Sequence, residues 1–222
     1  MRVRTMGLVM IVTSALIPVS LGGTAAAAKC ASPMKAGTWS GPITQKVDVN
    51  GTASSGLTVT QQGATAGTLT LKVACNGKAA GTITDSTFDL DGSSGIAGIN
   101  FPVRCRGTTG EVPVAGTVKK GAGGKPVIDI TYGAAASQTF QCDPGPVGDF
   151  LNAQFATPEP GTTTPGAPTG LSLPATTATR ATVAGTSFQA TGGFDPIAIS
   201  VQSWQSQGLT PMITQAWELT RG

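Results

Sequence analysis

The chain has 222 residues, of which only 11% are charged, and it combines 31 glycines and 15 prolines with no histidine. The absence of histidine excludes Ser-His-Asp and Cys-His nucleophile systems, histidine general bases and HExxH metalloproteases. Low charge with abundant glycine is unlike a helical cytosolic protein and typical of short strands joined by tight turns.

The N-terminus carries the pattern of a secretory signal peptide. Arg2 and Arg4 precede an apolar run that ends at Leu21, and small residues follow. This order predicts that residues 1–28 are removed on export. The apolar run of roughly 16 residues is shorter than the ~20 that a membrane span requires. We therefore expect a secreted protein of the extracellular space or cell envelope, with no membrane span in its mature form.

The mature chain would be nearly neutral. Without Arg2 and Arg4, its basic residues outnumber its acidic ones by one. This balance gives no electrostatic reason to expect a nucleic-acid partner or an anionic membrane.

Four cysteines follow the predicted cleavage site: Cys30, Cys75, Cys105 and Cys142. An even number in an exported chain predicts two disulfides. We expect Cys75–Cys105, because Cys75 ends a strand and Cys105 closes the second strand after it, at the same sheet edge. Cys30–Cys142 would then tie together the ends of the first domain. Without histidine or a C-x-x-C pair, we expect no metal and no other cofactor.

Alternation of apolar and polar residues dominates from Gly37 onward. Residues 57–60, 68–73 and 127–132 are period-two runs, which predict half-buried strands.

The turn signals predict how the central strands are connected. Asn76-Gly77 predicts a type I′ turn that joins strands 69–75 and 78–90 in a hairpin. Residues 91–94 read as the next turn, and residues 96–105 as the strand that follows it.

These patterns predict an all-β protein with an antiparallel β-sandwich or β-barrel over residues 29–156. A short helix is expected over residues 149–155. Residues 157–170, rich in proline, threonine and glycine, predict a linker. Residues 171–222 are too few to fold alone, so we expect a small β segment that packs on the first domain or completes its sheet.

Carboxylates are the remaining source of acid–base chemistry, and they are few. Asp129 and Glu218 lie in strand-like runs and could form the carboxylate pair of a glycosidase. The simpler expectation is that both face solvent. Asp89-x-Asp91-Gly92 lacks the later ligands of a calcium loop, so it is interpreted as a turn. We therefore assign no catalytic and no metal-binding residue.

Three tryptophans, Trp39, Trp204 and Trp217, are candidate core anchors or ligand-binding aromatics. Gly37-Thr38-Trp39 resembles the G-x-W that opens the first barrel strand of calycins such as lipocalins and avidins. Trp217 and Arg221 resemble the closing strand of that family and its tryptophan-stacking arginine. The resemblance implies a barrel that carries a small apolar ligand.

The expected function is a secreted, non-catalytic binding or structural module, with a glycan, a cell-envelope component or a protein surface as possible partner. The alternative is a calycin-like carrier for a small apolar ligand, and a carboxylate-dependent hydrolase comes third. A carrier requires an enclosed apolar cavity of at least about 300 Å³, whereas a surface binder has a filled interior.

Overall fold

The structure is a computed structural model that describes residues 30–133, 135–154, 170–189 and 204–222. The chain is mostly antiparallel β-structure, and one curled sheet contains eleven strands. The predicted all-β class is therefore confirmed. The predicted signal peptide lies outside the described residues, as does the predicted linker except for Gly170.

The sheet belongs to the curled, barrel-like type. Its strands are β1 (Gly37–Thr52), β2 (Thr58–Val73), β3 (Lys78–Ile96), β4 (Ile99–Thr109), β5 (Val112–Lys120), β6 (Pro126–Tyr132), β7 (Gln138–Cys142), β8 (Gly170–Pro174), β9 (Thr177–Ala178), β10 (Thr182–Gln189) and β11 (Met212–Arg221). They lie side by side in the order β8-β6-β5-β3-β2-β1-β11-β10-β9, with β4 paired to β3 and β7 to β4. The helix α1 (Pro146–Gln154) follows β7 and includes most of the predicted helix.

Strand β3 changes its neighbour halfway along its length. Its first half pairs with β5 up to Ile83, and its second half pairs with β4 from Ser86 onward. Asp85 lies between the two halves with φ of +53°, and the β2–β3 register shifts at the same level. A residue in this left-handed conformation interrupts the ladder and bends the strand. The sheet therefore divides into a barrel part and a second part that carries β4 and β7.

The barrel part surrounds a packed apolar core. Strand β8 lies close against β10. A Cβ atom built on Gly185 of β10 would be only 2.2 Å from the carbonyl oxygen of Pro174 in β8. Strand β11 pairs with β1 and with β10, and β8 pairs with β6, so these three strands from the C-terminal part of the chain belong to the same sheet. The largest fully buried side chains of this core are Trp39, Met34, Ile43, Leu69, Leu71, Ile83, Ile128, Ile130, Leu173 and Leu219.

The segment before β1 covers one end of the barrel. Met34 is only 1% exposed and belongs to the barrel core. The indole Nε1 of Trp39 donates to the carbonyl of Lys35 at 2.9 Å, and a disulfide joins Cys30 to Cys75. Residues 30–36 thus form a cap that the disulfide holds in place.

A second apolar core lies beneath the other part of the sheet. It is formed by Val47, Val49, Ala53, Val59, Phe88, Leu90, Val103, Cys105, Cys142, Trp204, Leu209 and Ile213. Helix α1 packs on this part, and Asn152 binds both backbone groups of Cys142, at 2.7 and 3.0 Å. The period-two alternation places both cores on the same inner face of β1 and β2. On β3 the break at Asp85 keeps Ile83 and Phe88 on that face, although they are an odd number of residues apart.

Two predicted turns differ from the structure. The 69–75/78–90 hairpin is confirmed, but only Gly77 has positive φ, and its N–H donates to Ala74 at 3.0 Å. This is a type I turn followed by a left-handed glycine, not type I′. The turn predicted at 91–94 is wrong, because β3 runs on to Ile96. The chain reverses at Ala97-Gly98, with φ of +53° and +82°, as in a type I′ turn.

The predicted disulfide pairing is also wrong, although all four cysteines are bonded. The bonds are Cys30–Cys75 and Cys105–Cys142. Strand β3 continues past residue 91 before the chain reverses into β4, and as a result Cys105 of β4 lies opposite Leu90 of β3. Leu90 is twelve positions from Lys78, roughly 40 Å along an extended strand, so Cys105 is far from Cys75. It lies instead directly opposite Cys142 on β7.

Candidate functional site

All three candidate tryptophans are buried. Trp39, Trp204 and Trp217 are 1%, 7% and 3% exposed, so they anchor the two cores and form no surface platform for a ligand. Trp39 is the cross-strand partner of Arg221, and a Cβ on Gly37 would be 3.1 Å from the Nε atom of Arg221. The strands β1 and β11 therefore meet at the G-x-W motif.

The two candidate carboxylates lie on separate strands. Asp129 of β6 binds Lys119 in an ion pair and accepts a hydrogen bond from Ser172 at 2.6 Å. Partial burial acts to raise the pKa of Asp129, but these hydrogen bonds and the charge of Lys119 outweigh it and hold that pKa below its ordinary value. Glu218 lies on β11, and in the order of the sheet the strands β5, β3, β2 and β1 stand between β6 and β11. The structure does not place these carboxylates side by side.

The outer face of β4 and β7 carries a surface pocket of about 360 Å³. It is lined by Arg106, Gly107, Thr108, Thr139, Phe140 and Gln141. Antiparallel pairing puts Arg106 opposite Gln141 and Thr108 opposite Thr139, so the lining comes from two neighbouring strands in register. The hydroxyls of Thr108 and Thr139 are hydrogen-bonded at 2.9 Å. The pocket therefore offers a guanidinium, an amide and two hydroxyls within one small area.

Ion pairs on β3 hold the arginines in place. Arg106 donates from Nε to Asp89 at 3.0 Å, and Arg104 donates from Nε to Asp91 at 2.5 Å. The hydrogen bond and charge of Asp91 raise the pKa of Arg104 above its ordinary value. A guanidinium has five N–H donors, and the contact with Asp89 uses the Nε donor of Arg106. Its terminal nitrogens are suited to an acceptor in the pocket.

An aromatic pair lies beneath the pocket. The rings of Phe88 and Phe140 stack with centroids 5.4 Å apart. A Cβ on Gly107 would be 2.1 Å from the Phe88 ring and 2.2 Å from the carbonyl oxygen of Thr139. Only a glycine at this position lets the ring and β7 approach β4 so closely.

Sequence reasoning missed this pocket. It interpreted Asp89-x-Asp91-Gly92 as a turn and identified no site on β4, whereas the structure places both aspartates on a continuous strand facing the arginines. Arg104 and Arg106 flank the buried Cys105, and this alternation indicates that the outer face of β4 is polar. The strand that completes the pocket is more than 30 residues away, and its register was not readable locally.

No described group of three or more histidine, cysteine or carboxylate side chains is arranged to hold a metal ion. Within the described part of the chain, no helix has the length and apolar character that crossing a bilayer requires.

Comparison with known proteins identified no relative. No protein-family model, no curated protein and no solved structure matches this chain.

Proposed function

We propose that this protein is an exported, non-catalytic binding module, and that the β4–β7 pocket is its binding site. The observation that carries the proposal is the pocket of about 360 Å³, lined by Arg106, Gln141 and two threonine hydroxyls. These groups donate and accept hydrogen bonds in a shallow surface depression. Export is supported by the signal-peptide pattern and by two disulfides, which persist in oxidising compartments.

The chemistry of the lining favours a polyhydroxylated ligand that carries an acidic group. The guanidinium of Arg106 binds carboxylate or phosphate oxygens, and the Gln141 amide and threonine hydroxyls match sugar hydroxyls. Acidic glycans of a cell envelope combine these two chemistries.

The experiment is a titration of the mature protein with an acidic cell-envelope polysaccharide, followed by calorimetry. Arg106→Ala should weaken binding by about tenfold or more, since hydrogen bonds to charged groups contribute roughly 1.5–3 kcal/mol. Arg104→Ala is the matched control, because Arg104 has the same kind of ion pair on the same strand but does not line the pocket. Both variants should remain folded, as exposed ion pairs add at most about 1 kcal/mol to stability. Equal losses in the two variants would contradict the pocket assignment.

A calycin-like carrier is the second candidate, favoured by the contact between Gly37 and Arg221 at the G-x-W motif. Native mass spectrometry of the exported protein tests it, because a carrier retains an apolar ligand as additional mass.

A further inference from the structure

The inner face of the sheet carries a band of buried polar side chains between the two apolar cores. This polar belt consists of Gln45, Thr65, Ser86, Thr109 and Gln215, none of which is more than 6% exposed. Polar side chains are rarely buried so deeply unless they are hydrogen-bonded.

The belt crosses five neighbouring strands. Gln45 of β1 is the register partner of both Gln215 on β11 and Thr65 on β2. Ser86 of β3 faces Thr109 of β4 in the same way. Ser86 lies close to the β2 part of the belt, because a Cβ on Gly67 would be 3.5 Å from its Cα. The members therefore form one continuous band, with the barrel core on one side and the second core on the other.

Four polar groups of the belt lack a hydrogen-bond partner among the described residues. Gln215 donates from Nε2 to Gln45 Oε1 at 3.2 Å. The Nε2 of Gln45 and the hydroxyls of Thr65, Ser86 and Thr109 have no hydrogen-bond partner among the described residues. Each buried group left in this state carries a desolvation penalty, and four together would cost a large part of the stability of a typical domain.

We infer that the polar belt binds internal water molecules. The orphaned groups include an amide donor and hydroxyls that both donate and accept, and water offers both functions in the smallest volume. A buried water makes two to four hydrogen bonds, so one molecule can bridge adjacent members of the belt. The belt contains no ionisable side chain, which favours a neutral guest over an ion. The two apolar cores are then separated by a hydrated layer.

A crystal structure of the mature protein at high resolution tests this directly. The expected result is at least one ordered water within hydrogen-bond distance of two among Gln45 Nε2, Thr65 Oγ1 and Ser86 Oγ. A belt without water, in which these groups bond only to one another, overturns the inference. Density for an organic molecule in the belt overturns it as well.

Two substitutions give an independent test by the sign of their effect. In a dry belt, Thr65→Val removes an unsatisfied hydroxyl and stabilises the protein. In a hydrated belt it removes a ligand of the water, so the unfolding equilibrium constant should rise by about two- to tenfold. Thr87→Val, on the exposed face of β3, is the control and should change this constant by less than about twofold. A stabilised Thr65→Val variant would show that the belt holds no water.

Discussion

The cap at the barrel end should depend on the Cys30–Cys75 disulfide. Cys30 and Cys75 are 45 positions apart, and in the chain-entropy model a bridge over such a loop stabilises by about 4 kcal/mol. Met34 in the cap is 1% exposed, and truncation of such a buried methionine to alanine costs roughly 2–5 kcal/mol. If the cap detaches when the disulfide is absent, the two losses overlap.

The test is a double-mutant cycle that combines Met34→Ala with removal of the disulfide by Cys30→Ala/Cys75→Ala. We expect the triple variant to be more stable than additivity predicts, by about 1–3 kcal/mol. Urea denaturation followed by tryptophan fluorescence measures the free energies of unfolding. Hydrogen exchange at the Trp39 indole, which is bonded to Lys35 in the cap, should accelerate in the disulfide variant.

A control distinguishes this coupling from general destabilisation. Leu90→Ala opens a comparable cavity in the second core, away from the cap, and its cost should add to that of the disulfide variant. If the cost of Met34→Ala also adds to that of the disulfide variant, within about 0.5 kcal/mol, the cap stays docked without the disulfide and the reasoning is refuted.

Two further perturbations test the local structure. Ala97→Asn should stabilise the protein by roughly 0.5–1 kcal/mol in urea denaturation, because alanine is strained at φ of +53° and asparagine is favoured at this position of a type I′ turn. Gly98→Ala, at φ of +82°, should destabilise the protein. A destabilised Ala97→Asn variant together with a stabilised Gly98→Ala variant would contradict the turn assignment. Asp129, whose pKa is lowered by Lys119 and Ser172, contributes stability that is present above the ordinary aspartate pKa of about 3.9 and is lost as pH falls through the folded-state value. Asp129→Asn should therefore be less stable than the parent at pH 7, and the difference should diminish as pH falls below the ordinary aspartate pKa of about 3.9. A pH-independent difference would refute the role of this carboxylate.

Local pattern was sufficient for much of the fold. A period-two alternation places every second side chain on the same face wherever the strand ends, so the half-buried strands and the burial of their apolar residues could be predicted. The even cysteine count predicted two bonds without identifying the partners. Glycine after Asn76 predicted a hairpin, because a tight reversal needs a left-handed residue.

Tertiary structure decided which strands meet. A serine-rich, glycine-containing stretch at residues 91–94 has the composition of a turn, yet pairing on both sides keeps it extended. Because residues 91–94 are extended, Cys105 lies far from Cys75 and directly opposite Cys142. The same pairing faces Asp89 with Arg106 and brings Gln141 alongside, which creates the surface pocket. The alternation of apolar and polar residues can be read from neighbouring positions in the sequence. The register of β4 depends instead on the break of β3 at Asp85 and on its pairing with β7, which is distant in sequence.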